Sequence, residues 1–248
     1  GRMLAACPPG ETHDLGLLML AFILRWRGWD IVYLGANVPL ARLDQTLQST
    51  MPIMVLSVAQ TLPGAAALSE LAECVKAQSI PLAYGGAIFK HIPVLTEHIS
   101  GHFLGDELAA VPQVVEHVLS HPYEWSAPKT LPPAYAVALA GFQENEALIT
   151  TSVKLKLKNS AILPQYIEQA NFHFTQAIVS ALVLGEIDFL DYSAAWLNGL
   201  LKNHGLSPAL AAQYYAAYHQ AVQQHLDRQA GPILEWFAKV ETNGSILE

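Results

Sequence analysis

The segment Glu11-Thr12-His13-Asp14-Leu15-Gly16 places a histidine between acids, with a glycine three residues further on. An imidazole in such a setting can ligate a transition metal through one nitrogen. A neighbouring carboxylate on the other nitrogen fixes the tautomer and the ring orientation. Gly16 leaves room for a bulky group to approach the backbone. A short apolar run, Arg2-Met3-Leu4-Ala5-Ala6-Cys7, precedes the segment, and an amphipathic stretch over residues 17–27 follows it. The motif therefore reads as a strand-to-helix turn, where ligands of open α/β sheets collect. A histidine at such a turn can also simply cap the helix, so the chemistry depends on what else converges there.

Two further elements follow in order. The apolar run Ile53-Met54-Val55-Leu56 ends in Ser57-Val58-Ala59, and Ile80-Pro81-Leu82-Ala83-Tyr84 runs into Gly85-Gly86. Together with acid-x-His-x-x-Gly, they resemble cobalamin-binding domains of the methionine synthase and corrinoid-protein type. The resemblance implies that His13 replaces the cofactor's own dimethylbenzimidazole as lower cobalt ligand, with Glu11 as its hydrogen-bonding partner and Asp14 in the same turn. It also implies that the displaced nucleotide tail threads into the sheet past Gly16, Ser57, Gly85 and Gly86. Gly35, Asn37 and Val38 would lie near the corrin rim, although Gly35-Ala36-Asn37-Val38-Pro39 reads equally well as an ordinary connection. The implied cofactor is adenosylcobalamin or methylcobalamin. Glu11 stands where the family commonly has aspartate, and Ala59 replaces its leucine.

The elements that must position these residues alternate between strand and helix. Strands are expected at residues 3–6, 31–34, 53–57, 81–84 and 102–104. Helices are expected at 17–27, 40–48, 64–78 and 108–119, with a short turn at 92–98. Strands alternating with helices of this length form βαβ units on a parallel sheet. The expected fold is α/β: a flavodoxin-like (Rossmann-like) five-stranded parallel sheet over residues 1–121.

A proline-rich linker at 122–133 is expected next, because helix cannot persist through it. From 134 to 248 the apolar spacing is helical and strand punctuation disappears, so an all-α globin-like or bundle domain is expected. Helices are predicted at 134–158, 161–184, 188–204 and 207–239, the last broken or bent. Asp188 and Ser207 are N-cap signals, the latter followed by Pro208, and Gly185 and Gly205 are stops. This half carries His173, His204, His219 and His225 with many aromatic residues. They read either as a packed core or as a pocket for a planar tetrapyrrole, and His173, mid-helix among apolar neighbours, is the candidate ligand. His219 and His225 read as solvated or at an edge. With Ala181-Leu182-Val183-Leu184-Gly185-Glu186 and Asp191-Tyr192-x-x-x-Trp196, the two-part chain resembles the photocobilins, which implies biliverdin beside the cobalamin. This half contains no cysteine, so a bilin would be held without a thioether link.

The chain has 248 residues, 52% of them hydrophobic and 14% charged, with a formal net charge of −8. The negative charge argues against a grip on a phosphate backbone by this chain. Low charge with much apolar material suggests a homo-oligomer or buried ligand surface. Cys7 and Cys74 make no disulfide framework, and no segment reads as a signal peptide or membrane span, so a cytoplasmic protein is expected. Gly1-Arg2 leads at once into the first strand, which reads as a cropped or processed chain whose output domain or regulator lies on a missing segment. No nucleophile arrangement or carboxylate–histidine pair elsewhere suggests catalysis. The expected function is therefore sensing rather than enzymatic: a cobalamin light sensor in which photolysis of an alkyl-cobalamin changes domain packing or oligomeric state. The alternatives are a corrinoid methyl carrier or cobalamin-dependent enzyme subunit, and a heme-binding relative. Light-responsive cobalamin repressors cap the corrin with a Trp-x-x-x-Glu-His element, and none occurs here.

Overall fold

The structure is a computed structural model, and it describes residues 1–121, 123–126, 128–203, 207–226 and 230–243. His204 and Gly205, read above as a histidine of interest and a helix stop, lie outside the described residues. The chain divides into two compact units, Gly1–Lys129 and Thr130–Glu248.

In the first unit, β1 (Arg2–Ala6), β2 (Asp30–Gly35), β3 (Met54–Val58), β4 (Leu82–Gly85) and β5 (His102–Phe103) form one sheet in the order β2-β1-β3-β4-β5. All pairs are parallel. The strand order matches the flavodoxin-like arrangement, whose reversal point lies between β1 and β3. Residues 3–6 of β1 and all of β3 and β4 are buried. Their runs are accordingly apolar without alternation, as strands covered on both faces require. The crossovers are α1 (Leu15–Trp26), α2 (Leu40–Thr50) and α3 (Leu62–Ala77), and α5 (Val111–Ser120) closes the unit. Helix α1 faces the sheet with Leu17, Leu20, Ala21 and Leu24, the i, i+3, i+4, i+7 pattern of an amphipathic helix.

Two details differ from the sequence reading. A short helix, α4 (Ala87–His91), follows the glycine pair, and the expected turn at 92–98 is a 3-10 helix over Pro93–His98. A five-residue helix is too short for periodicity to reveal. The start of the proline-rich segment also belongs to the first unit. Tyr123 Oη donates to the Leu82 carbonyl at 2.6 Å, and the Lys129 N–H donates to the Glu97 carbonyl at 3.1 Å. Proline removes helix but does not prevent a segment from packing as extended chain.

The second unit contains α6 (Pro133–Lys156), α7 (Pro164–Leu184), a 3-10 turn (Ile187–Phe189), α8 (Leu190–Asn203), α9 (Pro208–Leu226) and α10 (Gly231–Asn243). Phe174 sits at its centre, with ring centroids of Tyr218, Tyr215 and Trp236 at 4.8, 5.3 and 5.7 Å. The aromatic stripes thus pack on one another as the core. Helix α7 ends at Gly185 in the left-handed conformation, and Ser207 Oγ accepts the Ala209 N–H at the start of α9. Asp188 is not an N-cap. It lies within the 3-10 turn, and its carboxylate takes Lys239 Nζ at 2.6 Å.

Candidate functional site

The turn between β1 and α1 is fixed first by its backbone. The Cys7 N–H donates to the Gly35 carbonyl at 3.0 Å and the Val38 N–H to the Cys7 carbonyl at 3.1 Å. The Gly10 N–H donates to Asn37 Oδ1 at 2.8 Å, and the Asn37 N–H returns to the Glu11 carbonyl at 2.9 Å. Gly35, Asn37 and Val38 therefore brace the histidine turn from the β2 side. Asn37 does so in a left-handed conformation, and Val38 is buried. Cys7 is fully buried beneath the turn. Burial, followed by the charges of Glu11 and Asp14, pushes its thiol up to about 12.

Glu11 is the centre of the site. It is 1% exposed, and both carboxylate oxygens are used. Oε1 accepts the His13 backbone N–H at 3.0 Å and faces His13 Nδ1 at 2.7 Å, while Oε2 accepts the Gln60 N–H at 2.8 Å. A carboxylate only accepts, so this pairing assigns the ring proton to Nδ1 and leaves the lone pair on Nε2. The His13 side chain is 64% exposed, so that nitrogen is presented outward. Asp14 takes no part in the pairing. Its Oδ2 accepts Tyr33 Oη–H at 2.7 Å, and burial, then Asp14, raises the Tyr33 hydroxyl.

Three residues that the sequence reading passed over complete the site. Gln60, just beyond β3, donates its N–H to Glu11 and accepts the Ala87 N–H on Oε1 at 2.9 Å. It thereby ties the histidine turn, the end of β3 and the glycine turn together. Tyr33 braces Asp14. Gly64 lies in the first turn of α3 because a Cβ there would overlap Glu11 Oε2. A glycine near a helix start is costly in a helix interior, and that cost was the available signal of a close approach.

The glycines and the serine divide into two kinds. Gly86 has φ +129°, and a Cβ there would run into the Ala59 carbonyl, so Gly86 is required by the fold itself. Ser57 is fully buried in β3, with Oγ–H donating to the Ala6 carbonyl at 2.7 Å. Gly85 and Gly16 differ from both. Gly85 is buried, yet a Cβ would meet nothing within 4 Å, and a Cβ on Gly16 would meet only Gln60 Nε2, at 3.6 Å. Open space beside a buried glycine, at the carboxyl ends of the strands and next to an outward imidazole, fits a threaded ligand tail.

No three His, Cys, Asp or Glu side chains converge as a metal-binding set among the described residues. A cobalt corrin, if bound here, would need a single nitrogen ligand from the protein, and His13 could supply it. The residues present fit the group.

His173 belongs to the second unit. It is exposed on α7, edge-on to Phe172 and Trp196 with centroids at 5.4 and 5.7 Å, while its neighbours Asn171 and Phe174 turn inward. The apolar context in sequence belongs to the opposite face of the helix, because one residue turns the face by about 100°. His219 and His225 are part-buried, as residues at an edge are: His219 Nδ1 pairs with Glu241 at 2.6 Å, and His225 Nε2 lies 2.7 Å from Ser152 Oγ.

Residues 1–113 match the B12 binding domain family. A stretch of 54 residues, 22% of the chain, is 41% identical to the HTH-type transcriptional repressor CarA of Myxococcus xanthus and covers 19% of it. A stretch of 123 residues, 48% of the chain, is 24% identical to the methanol–corrinoid protein of Methanosarcina barkeri and covers 46% of that protein. The chain therefore matches less than half the length of each of these relatives. Among solved structures, the methanol:cobalamin methyltransferase complex MtaBC of Methanosarcina barkeri aligns at 25% identity and a TM-score of 0.44, over 50% of this chain and 48% of that one. The monomethylamine corrinoid protein of the same organism aligns at 18% identity and a TM-score of 0.42, over 47% and 57%. By the family match, residues 1–113 carry a B12 binding domain. No described helix is long and apolar enough to cross a membrane.

Proposed function

We propose that the first unit holds a cobalamin through His13 Nε2, with its nucleotide tail in the open space at Gly85 and Gly16, and that the chain acts as a corrinoid-carrying protein. The observation that carries this reading is the Glu11–His13 pair: a buried carboxylate aims an exposed imidazole outward and holds its proton on the far nitrogen. Bound cobalamin would supply a cobalt–carbon bond that can be formed, transferred or broken. The residues of this chain orient it. Glu11 fixes the His13 tautomer and raises the basicity of Nε2. Gln60 and Gly64 hold Glu11 in place, and Gly86 sets the turn that leaves the space at Gly85 free. The likeness to the methanol–corrinoid protein supports a methyl-carrying role, in which the corrinoid is presented to a partner that performs the chemistry.

A second reading is favoured by the stretch shared with the repressor CarA. In it the protein is a cytoplasmic light sensor, not an enzyme, whose adenosylcobalamin or methylcobalamin is photolysed. Biliverdin would be a further chromophore of the helical unit, and an output domain on another segment would read the change. The exposed Phe172–His173–Trp196 cluster is the surface on which such a planar group would be sought.

The test is reconstitution with methylcobalamin in the dark. Electron paramagnetic resonance of a separate sample, loaded with hydroxocobalamin and reduced with dithionite to cob(II)alamin, with nitrogen-15 histidine, should show one histidine nitrogen on cobalt, lost in His13→Ala. An unchanged signal in the variant would remove the assignment. Illumination then separates the readings: a change in elution volume supports the sensor, whereas indifference to light favours the carrier.

A further inference from the structure

Helix α1 presents two apolar faces. One packs on the sheet through Leu17, Leu20, Ala21 and Leu24. The other carries Leu15, Leu18, Met19, Phe22 and Trp26, which are 67%, 44%, 48%, 68% and 86% exposed. The spacing i, i+3, i+4, i+7, i+11 puts all five on one stripe along three turns. Together they expose roughly 700 Å², above the ~300–600 Å² of the largest patch on a typical monomer. That area is close to the ~800 Å² that each partner contributes to a standard interface.

We infer that this stripe is the interface of a two-fold homodimer, in which α1 of one copy packs antiparallel on α1 of the other. A two-fold axis brings one patch against itself, so the patch must be self-complementary. Packed antiparallel about its middle, the stripe places the small end at Leu15 against the large end at Trp26, and Met19 against Phe22. Parallel packing would instead set Trp26 against Trp26 and leave a gap at Leu15. Charge agrees with this direction. Asp14 and Arg25 are eleven residues apart, on one flank of the stripe at opposite ends, held there by Tyr33 Oη and by the Ile31 carbonyl. Antiparallel packing brings Asp14 of each copy towards Arg25 of its partner, whereas parallel packing puts the two flanks on opposite sides of the seam and pairs neither. Leu15 lies two residues beyond His13, so the two ligand-binding turns would sit at opposite ends of the paired helices. The inference does not depend on the cofactor, and its test is made without one.

The experiment is sedimentation analysis of the full chain, wild type and Phe22→Glu, at micromolar concentration in the dark. Phe22 is exposed, so the variant should keep the circular dichroism of the wild type. The wild type should sediment as a dimer. Phe22→Glu should weaken association by at least ~100-fold, since the change counts twice across the axis. Orientation is read from disulfide trapping. A mixture of Leu15→Cys and Trp26→Cys proteins should form the mixed disulfide, and neither protein alone should cross-link at the new position. A monomeric wild type, or a Phe22→Glu dimer as tight as the wild type, would show that something other than a second copy covers the stripe. Cross-linking of each variant only with itself would overturn the antiparallel arrangement.

Discussion

Glu11 and Gln60 are separated by 49 residues, yet a 2.8 Å hydrogen bond joins the carboxylate of one to the backbone of the other. That bond occupies the oxygen of Glu11 that His13 does not use. With both oxygens engaged and the side chain buried, the carboxylate has one position, and His13 Nδ1 can pair with it in only one way. An amide in place of this carboxylate would turn one acceptor into a donor, aimed at either the Gln60 N–H or His13 Nδ1–H. Glu11→Gln should therefore lower cobalamin affinity by about 10–100-fold, as loss of a metal ligand's hydrogen-bond partner does. Gln60→Ala keeps its N–H and should cost much less. Titration with hydroxocobalamin, followed by absorbance, measures both. Equal losses in the two variants would mean that the Gln60 side chain, rather than its backbone, carries the effect.

The two glycines of the Gly85-Gly86 pair should behave oppositely. Gly86→Ala must accommodate both a positive φ and an overlap with the Ala59 carbonyl, a strain of at least ~1–3 kcal/mol that appears in thermal unfolding of the cofactor-free protein. Gly85→Val places its side chain in open space, so the apoprotein should unfold almost as the wild type does. Its cost should appear on binding, because overpacking of ~1–3 kcal/mol corresponds to about 5–150-fold in affinity. A Gly85→Val protein that binds cobalamin normally would place the nucleotide tail elsewhere.

The parallel sheet was legible because β1, β3 and β4 are unbroken apolar runs separated by amphipathic segments, and burial on both faces demands that pattern. The pairing of Glu11 with His13 was legible because a carboxylate two residues before an imidazole in a turn can reach its ring. Gln60 was not, since its role lies in a backbone N–H that every residue but proline possesses and in a contact across 49 positions. Gly85 and Gly86 look alike in sequence, and only the position of Ala59 separates them. The exposure of His173 was not legible for a related reason: apolar neighbours on both sides in sequence give no phase, and the face of α7 that turns inward is set by Phe174 meeting the aromatic residues of α9 and α10.

Acid should loosen the first unit through His102. The residue is half-buried in β5, and burial, followed by the charge of His117, lowers its pKa from the ordinary 6.5. The unfolded chain thus binds the proton more readily than the folded one. Stability from this residue is complete above about 6.5 and is lost as pH falls from there towards the lowered folded value. His102→Gln should flatten the dependence of the melting temperature on pH as the pH falls below about 6.5, without abolishing folding. Parallel melting curves for wild type and variant across that window would assign the acid sensitivity to another group.

The thiol of Cys7 tests the packing beneath the histidine turn without any cofactor. It is fully buried and held at about 12, first by burial and then by the charges of Glu11 and Asp14. Thiolate is the reactive form, so at pH 8 only about one part in 10,000 would be ionised even if reagent reached it. Cys74 is half-buried and its thiol is also raised, by burial and then Asp44, but it is not sealed from solvent. Iodoacetamide at pH 8 should therefore label Cys74 slowly and leave Cys7 unmodified until the protein is unfolded, as read by peptide mass mapping. If Cys7 is labelled in the native protein as fast as Cys74, the turn that carries Glu11 and His13 opens readily. The tight bracing of His13 would then have to come from the bound ligand rather than from the fold.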